Sequence, residues 1–308
     1  MQEKCQNTSN EIKNYPTLIG AKIRKLQTTK VRDDRIDSVK FWLIVLVITI
    51  HVFKRSVFAD SMTCTVIWKY CYIFAMPLFI FISGYFSRKK DMKDFWPSIW
   101  KLLEPLIFYH IIGLLFSKSS ISVRSLFTPW WVLWYLLSLI YWRLMLQFIP
   151  DKILRHIKIV LFCTFCISIF AGFLPFDRFL SLQRTLALMP FFFCGYYMRD
   201  INLFLPDKFK PLCIVFLIAM FAIPIFVPQH LGDLPHADPY SNVYVAVKRL
   251  FVFAIAIPMS IAFINVCYNT SWIAQQGRMS MHYYIFHALI ISPLMMVVRR
   301  QNIRKRSF

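Results

Sequence analysis

The fold is decided by the stretch RIDSVKFWLIVLVITIHVFKR, Arg35–Arg55, which resembles a membrane helix that is too short. Its uninterrupted apolar run is Phe41–Ile50, ten residues, whereas a hydrocarbon core of about 30 Å requires roughly 20 helical residues. The helix can span a bilayer only if Lys40 and His51 enter the membrane zone. Ionisable side chains are costly there, so both residues are candidates for function.

The composition indicates an integral membrane protein. The 308 residues are 58% hydrophobic and 18% aromatic, and the mean hydropathy is +0.53, whereas soluble domains are about 45–50% apolar. We therefore expect an all-α, polytopic transmembrane helix bundle with about nine to ten spans. A polar cytoplasmic tail (residues 1–31) precedes an integral membrane domain (residues 32–298), and a basic tail (residues 299–308) follows it.

The apolar runs and the charged segments between them predict the topology. With the N-terminus in the cytoplasm, the cytoplasmic segments carry more than twice as many lysines and arginines as the opposite side, not counting the C-terminal tail. The five basic residues of that tail would follow a ninth span and lie outside, so either one span is miscounted or the chain ends before a tenth. The predicted spans are Ile36–Phe58, Val66–Phe86, Leu102–Phe116, Trp130–Phe148, Ile157–Phe176, Leu186–Met198, Leu212–Val227, Val243–Val266 and Met279–Val298.

The same pattern argues against two other classes of site. The net charge of +21 is divided among short segments between apolar runs, and no basic stripe or aromatic reading motif indicates nucleic-acid binding. Cys163 and Cys166 form a C-x-x-C, but it lies inside an apolar run rather than at a loop, so packing is the better interpretation. We expect no metal site, because no His/Asp/Glu cluster has ligand spacing.

One face of the first helix carries three ionisable residues. Lys40 and His51 are eleven residues apart, which places their side chains about 16.5 Å apart along the axis and about 20° apart around it. Asp37 lies three residues before Lys40, near the same face. The alternative without a function is a lysine that snorkels to the interface and a histidine that hydrogen-bonds between helices. Two aligned residues favour function, with His51 suited to act as a general base.

Other segments carry weaker signals, each with an alternative. Arg88 and Lys89 follow the Ser83–Gly84 pair, and they either anchor the topology or bind an anionic cytoplasmic ligand. The tryptophans that open the fourth predicted span form either an interfacial belt or a surface for stacking a sugar. His287, in the last apolar run, makes either a structural hydrogen bond or a catalytic contact.

Five segments in order resemble the acyltransferase 3 family of membrane-bound O-acyltransferases, and most closely its branch related to fucose 4-O-acetylases. The family opens with a basic residue, ten residues and a histidine, as Lys40 and His51 do here, although many members have arginine at the first position. The resemblance covers about residues 32–298. The matching segments are IDSVKFWLIVLVITIH (36–51), MPLFIFISGYFSRKK (76–90), WWVLWYLLSLIYWR (130–143), LMPFFFCGYYMR (188–199) and GRMSMHYYIFH (277–287).

The resemblance implies transfer of an acyl group, most often acetyl, from acetyl-CoA to a hydroxyl of a sugar or glycan, at a bacterial inner (plasma) membrane. No cofactor stays bound, because acyl-CoA is a cosubstrate; the partners are the lipid bilayer, acyl-CoA and a carbohydrate or glycolipid acceptor. The implied residues are His51, Lys40 and Asp37 for catalysis, Arg88, Lys89 and Ser83 for acyl-CoA, and Arg184, Trp134, His287 and the loop Gln229–Asn242 for the acceptor.

Two other functions remain open. A proton-coupled secondary transporter could use His51 or His287, although only seven glycines and no paired halves weigh against it. The family usually has ten spans, and this chain stops after RRQNIRKRSF, so an inactive, truncated family member is the other alternative. Consumption of a thioester separates the enzyme from both.

Overall fold

The computed structural model describes residues 33–55, 61–116, 122–175, 178–226, 239–240, 243–291 and 294. Across these residues every regular element is a helix and no strand occurs, which confirms the all-α prediction. The main helices are α1 (Asp34–Arg55), α2 (Met62–Phe86), α3 (Met92–Phe116), α4 (Trp134–Phe148), α5 (Ile157–Ala171), α6 (Leu182–Tyr197), α7 (Lys210–Met220), α8 (Val243–Val266), α9 (Ser271–Arg278) and α10 (280–291). Short helices (Val123–Phe127, Asp151–Leu154, Ala222–Phe226) and single 3-10 turns (Trp131–Leu133, Phe179–Ser181, Asp207–Phe209) connect them.

Six of the described helical segments are long and apolar enough to cross a membrane, so the chain is a polytopic membrane protein. The predicted spans at residues 157–176 and 186–198 correspond to α5 and α6, which have only 15 and 16 residues. The last predicted span runs beyond the described residues. The six segments are Asp34–Phe53, Met62–Phe86, Met92–Phe116, Trp131–Phe148, Asp207–Ile225 and Val245–Val266.

Helix α2 is the centre of the bundle. Of its most apolar window, 72% is buried, against 22% for α3 and 11% for the segment that contains α7. It packs against α1, α6 and α8. A helix that is apolar on all sides is stable only where apolar surroundings cover every side, which explains why this sequence occupies the middle. The exposed apolar faces of α3 and α7 are suited to lipid.

Helices α2 and α6 touch through their backbones at two glycines. A Cβ atom on Gly84 would overlap the carbonyl of Phe192, and one on Gly195 would overlap the carbonyl of Phe81. Small residues permit such close crossing in membranes, where packing rather than the hydrophobic effect drives helix association. The two glycines therefore fix the position of α6, whose first turn borders the cavity described below.

We expect Gly195→Val to lower the melting temperature of the detergent-solubilised protein, because the added side chain forces α6 away from α2. Overpacking costs about 1–3 kcal/mol. Cys194→Val is the matched control, since the neighbouring side chain is only partly buried. Thermal unfolding followed by tryptophan fluorescence measures both variants. Equal melting temperatures in the two variants would contradict the backbone contact.

Candidate active site

A cavity of about 720 Å³ lies at the end of α1 that carries His51. It is bordered by α1, α2, α3, the turn before α4, the first turns of α6, and α10. His51, Trp131, Trp134, Arg184 and Tyr284 are among its lining residues. Its volume and its mixture of aromatic and polar groups are typical of small-molecule sites. The structure thus brings three of the predicted site residues, His51, Trp134 and Arg184, to one cavity.

The imidazole of His51 meets two other rings. The Trp131 ring packs edge-on against it at 4.9 Å between centroids, and the His287 ring stacks on it at 5.3 Å. The pairing of the two histidines joins the first and last helices that the structure describes. It also places two groups that can exchange protons side by side next to a cavity.

His287 is fixed by its own helix and keeps one ring nitrogen available. Its Nδ1 lies 3.2 Å from the carbonyl oxygen of Tyr283, which assigns the hydrogen to Nδ1 in the neutral ring. Its Nε2 is buried and has no hydrogen-bond partner. His287 thus makes the structural hydrogen bond of the first alternative; it contacts His51 but is not among the residues that line the cavity.

The tryptophan-bearing turn is held by a histidine on α3. The Nδ1 of His110 accepts from the backbone N–H of Trp130 at 3.1 Å, and its Nε2 lies 3.0 Å from the carbonyl oxygen of Leu126. Gly113, one turn further along α3, leaves room for the Trp130 ring. Trp131 adopts a positive φ of 41°, a conformation that bulky residues rarely hold without support. His110 therefore positions the turn rather than the substrate.

Asp37 and Lys40 lie at the opposite end of α1, about 21 Å and about 16.5 Å from His51 along the axis by helix geometry. The buried carboxylate of Asp37 pairs with Lys40 at 2.5 Å and with Arg278 of α9 at 3.5 Å. Arg278 also pairs with Asp34 at 2.6 Å, and the adjacent Gly277 lets the backbone of α9 contact that of Asp37. Asp37 thus joins α1 to α9, Lys40 pairs with it within α1, and neither of these predicted catalytic residues lines the cavity.

The residues predicted to bind acyl-CoA lie near the start of the α2–α3 connection. Arg88 is exposed. The ammonium of Lys89 donates to the carbonyl oxygen of Ile149 at 2.6 Å and to Asp151 at 2.7 Å. The hydrogen bond from Lys89 lowers the pKa of the Asp151 carboxyl. The positive charge of Lys89 is therefore partly offset by the Asp151 carboxylate.

Three aromatic rings separate Ser83 from the cavity. The hydroxyl of Ser83 hydrogen-bonds that of Tyr135 at 2.5 Å. The Tyr135 ring packs against Phe79 and Tyr284, each at 5.2 Å, and Tyr284 lines the cavity. We call Phe79, Tyr135 and Tyr284 the aromatic floor. The tyrosine hydroxyl of Tyr284 also donates to the carbonyl of Val132, which ties α10 to the tryptophan turn.

Two features were not identified as site residues from the sequence. Tyr284 lies three residues before His287 and so shares a helix face with it. His110 is an isolated histidine in an apolar segment, the same signal that identified His51. The predicted acceptor loop Gln229–Asn242 lies outside the described residues except for positions 239–240. In the part of the chain that is described, no three His, Cys, Asp or Glu side chains form a metal-binding group.

Comparison with known families decides the class of protein. A family model described as an acyltransferase domain, that of the acyltransferase 3 family, matches residues 33–305. The chain belongs to this family. It is therefore a membrane acyltransferase, and the resemblance to the acyltransferase 3 family is confirmed. No curated protein and no solved structure matches the chain.

We expect Asp37→Ala to destabilise the protein, at most by the roughly 3–5 kcal/mol of a broken buried ion pair, because the mostly buried ammonium of Lys40 loses its carboxylate. The loss is read as a fall in melting temperature. Asp33→Ala is the control, since Asp33 pairs with Arg35 at the surface. If Asp37→Ala keeps the melting temperature of the wild type but loses activity, Asp37 acts in the chemistry instead of holding α1 to α9.

If Lys89 binds a phosphate of acyl-CoA, as the family resemblance implies, we expect Asp151→Asn to lower the KM for acyl-CoA roughly two- to fivefold, because Lys89 no longer has to leave a carboxylate first. The Asp151 carboxylate is ionised at neutral pH, so the competition operates under ordinary assay conditions, and the lowered pKa of Asp151 extends it to more acidic pH. Initial rates at varied acyl-CoA measure the effect, with Asp207→Asn as the surface control. A KM that rises or stays constant would exclude Lys89 from phosphate binding.

Proposed function

We propose that the protein is an integral membrane O-acyltransferase of the fucose 4-O-acetylase-like branch. It moves an acyl group, acetyl in the simplest case, from cytoplasmic acyl-CoA to a hydroxyl of a sugar or cell-surface glycan at a bacterial inner membrane. The observation that carries the proposal is the His51–His287 pair beside an aromatic cavity, in a chain of an acyltransferase family.

The chemistry requires a base at the acceptor hydroxyl. The imidazole of His51 takes the hydroxyl proton as the oxygen attacks the thioester carbonyl, and the C–S bond breaks as the tetrahedral intermediate collapses. The proton then passes to the CoA thiolate. Alternatively, His51 attacks the carbonyl itself, releases CoA, and passes the acyl group from nitrogen to the hydroxyl. In either route the stacked ring of His287 supports the orientation of the His51 imidazole.

The donor reaches His51 from the Ser83 side in this proposal. Arg88, Lys89 and Lys40 bind the CoA phosphates, since guanidinium and ammonium groups at the cytoplasmic edge suit anionic ligands. Ser83 contacts the pantetheine arm. Because the aromatic floor lies between Ser83 and the cavity, entry of the thioester requires those rings to move aside.

The acceptor occupies the cavity, where Trp131 and Trp134 offer aromatic surface for stacking and Arg184 offers a polar contact. His287 supports this site through its contact with His51. The bilayer is the third partner, because the exposed faces of α3 and α7 are apolar. A proton-coupled transporter is the second candidate, and the stacked histidines favour it. Transport leaves a thioester intact, so thioester loss separates the two functions.

We expect His51→Ala to abolish transfer of label from radiolabelled acetyl-CoA to the glycan and lipid fractions of membranes at matched expression. Removing a general base typically lowers the rate by roughly 10²–10⁴-fold. His282→Ala is the matched control, because this exposed histidine lies on the same helix as His287 outside the cavity lining. Wild-type membranes that consume no thioester in any fraction would contradict the enzyme and favour the transporter.

A further inference from the structure

One wall of the cavity is cationic. Arg124, Arg178 and Arg184 all border it, and none of its described lining residues is Asp or Glu. Arginines that face a cavity cannot be explained as simple topology signals, which act through loops facing water. A concave site of one charge sign attracts ligands of the opposite sign and raises their local concentration.

Arg184 is held in place and retains bonding capacity. Its guanidinium lies over the Trp134 ring at 5.1 Å, so aromatic packing orients its plane. Its Nε is buried and has no hydrogen-bond partner. An oriented guanidinium with an unused N–H is well suited to a carboxylate or phosphate, which it can bind through two parallel hydrogen bonds.

The turn beside Arg184 is strained and contains a second unused group. Leu180 (φ 50°, ψ 18°) and Ser181 (φ 56°, ψ 14°) are consecutive non-glycine residues in the left-handed region. Ser181 is 2% exposed, borders the cavity, and its Oγ has no hydrogen-bond partner. A serine at this position usually caps its helix, but this one makes no such bond. Strained backbone with an unsatisfied hydroxyl is characteristic of ligand sites.

The same turn starts a helix of 16 residues, α6, whose first backbone N–H groups carry the positive end of the helix dipole. Helix start, buried hydroxyl and guanidinium therefore lie together on one wall of the cavity. We propose that Ser181, Arg184 and Arg178 form a subsite for an anionic group of the acceptor, so that the enzyme acylates an acidic glycan. This inference rests on the proposed acyl transfer at His51 and adds the substrate class.

The tryptophan turn relates this subsite to the base. The Trp131 ring contacts His51. The Trp134 ring, three residues later, packs under the guanidinium of Arg184. Trp131 lies in the 3-10 turn that leads directly into α4 at Trp134, and both residues line the cavity. An acceptor that places its anion on Arg184 therefore presents a hydroxyl to His51 from the same sugar or the next one. The anion is either a sugar carboxylate or a glycan phosphate.

The test compares three preparations of the endogenous membrane glycan: untreated, carboxyl-reduced and chemically dephosphorylated. Wild-type enzyme receives each with radiolabelled acetyl-CoA, and kcat/KM for the glycan is measured. We expect at least a roughly tenfold loss in one of the two treated preparations, because a charge-assisted bond to arginine disappears. Loss after carboxyl reduction identifies an acidic sugar, and loss after dephosphorylation identifies a phosphate.

Variants of the subsite residues test whether the preference for the untreated glycan arises there. Arg184→Gln and Ser181→Ala should bring the ratio between untreated and treated glycan towards one, and Arg184→Lys should keep part of it. Arg155→Gln, an exposed arginine outside the cavity lining, is the control and should keep the wild-type ratio. Equal wild-type rates on all three preparations would overturn the acidic acceptor while leaving acyl transfer intact. No transfer even to the untreated glycan, with the thioester intact, would instead overturn the enzyme itself.

Discussion

The first helix is long enough to cross a bilayer only because its spanning segment includes Asp37, Lys40 and His51, and the rest of the structure satisfies these polar groups. Polar groups in hydrocarbon are costly unless other protein groups satisfy them. At one end of α1, Asp37 is satisfied by Lys40 and by Arg278 of α9. At the other end, His51 is enclosed by Trp131 and His287. The same constraint therefore produces an anchor at one end of the helix and a reactive cavity at the other.

The position of the cavity depends on how closely α2 and α6 approach. Gly84 and Gly195 let the two backbones touch, and the first turn of α6 then reaches the wall opposite the tryptophan turn. Arg184 packs on Trp134 across this gap. A wider crossing would separate the cationic wall from His51. Packing in the centre of the bundle thus determines which groups face the acceptor.

The sequence was sufficient for local features. Helical periodicity placed Lys40 and His51 on one face, and hydropathy located the long helices because these signals depend on neighbours along the chain. The chain order of the motifs identified the family. The proposed roles of His51 and Arg184 agree with their positions beside the cavity.

Tertiary features were beyond the sequence. The stacking of His51 on His287 joins residues more than 230 positions apart, and no periodicity encodes that contact. The neutralisation of Lys89 by Asp151 likewise depends on how the end of α4 returns to the α2–α3 connection. Leu180 and Ser181 adopt left-handed backbone conformations, but neither is a glycine, so the sequence does not indicate them. Asp37 was grouped with His51 because they share a face, but the length of the helix separates them.

The proposed reaction requires the acyl group to meet His51 at the cavity. A cryo-EM structure with a non-hydrolysable thioether analogue of acetyl-CoA tests this most directly. The account predicts a displaced aromatic floor and the acyl carbon about 3–3.5 Å from an imidazole nitrogen of His51, or from a sugar hydroxyl that this nitrogen contacts. An analogue whose acyl end remains on the Ser83 side of an intact aromatic floor, with the acceptor bound elsewhere, would contradict it.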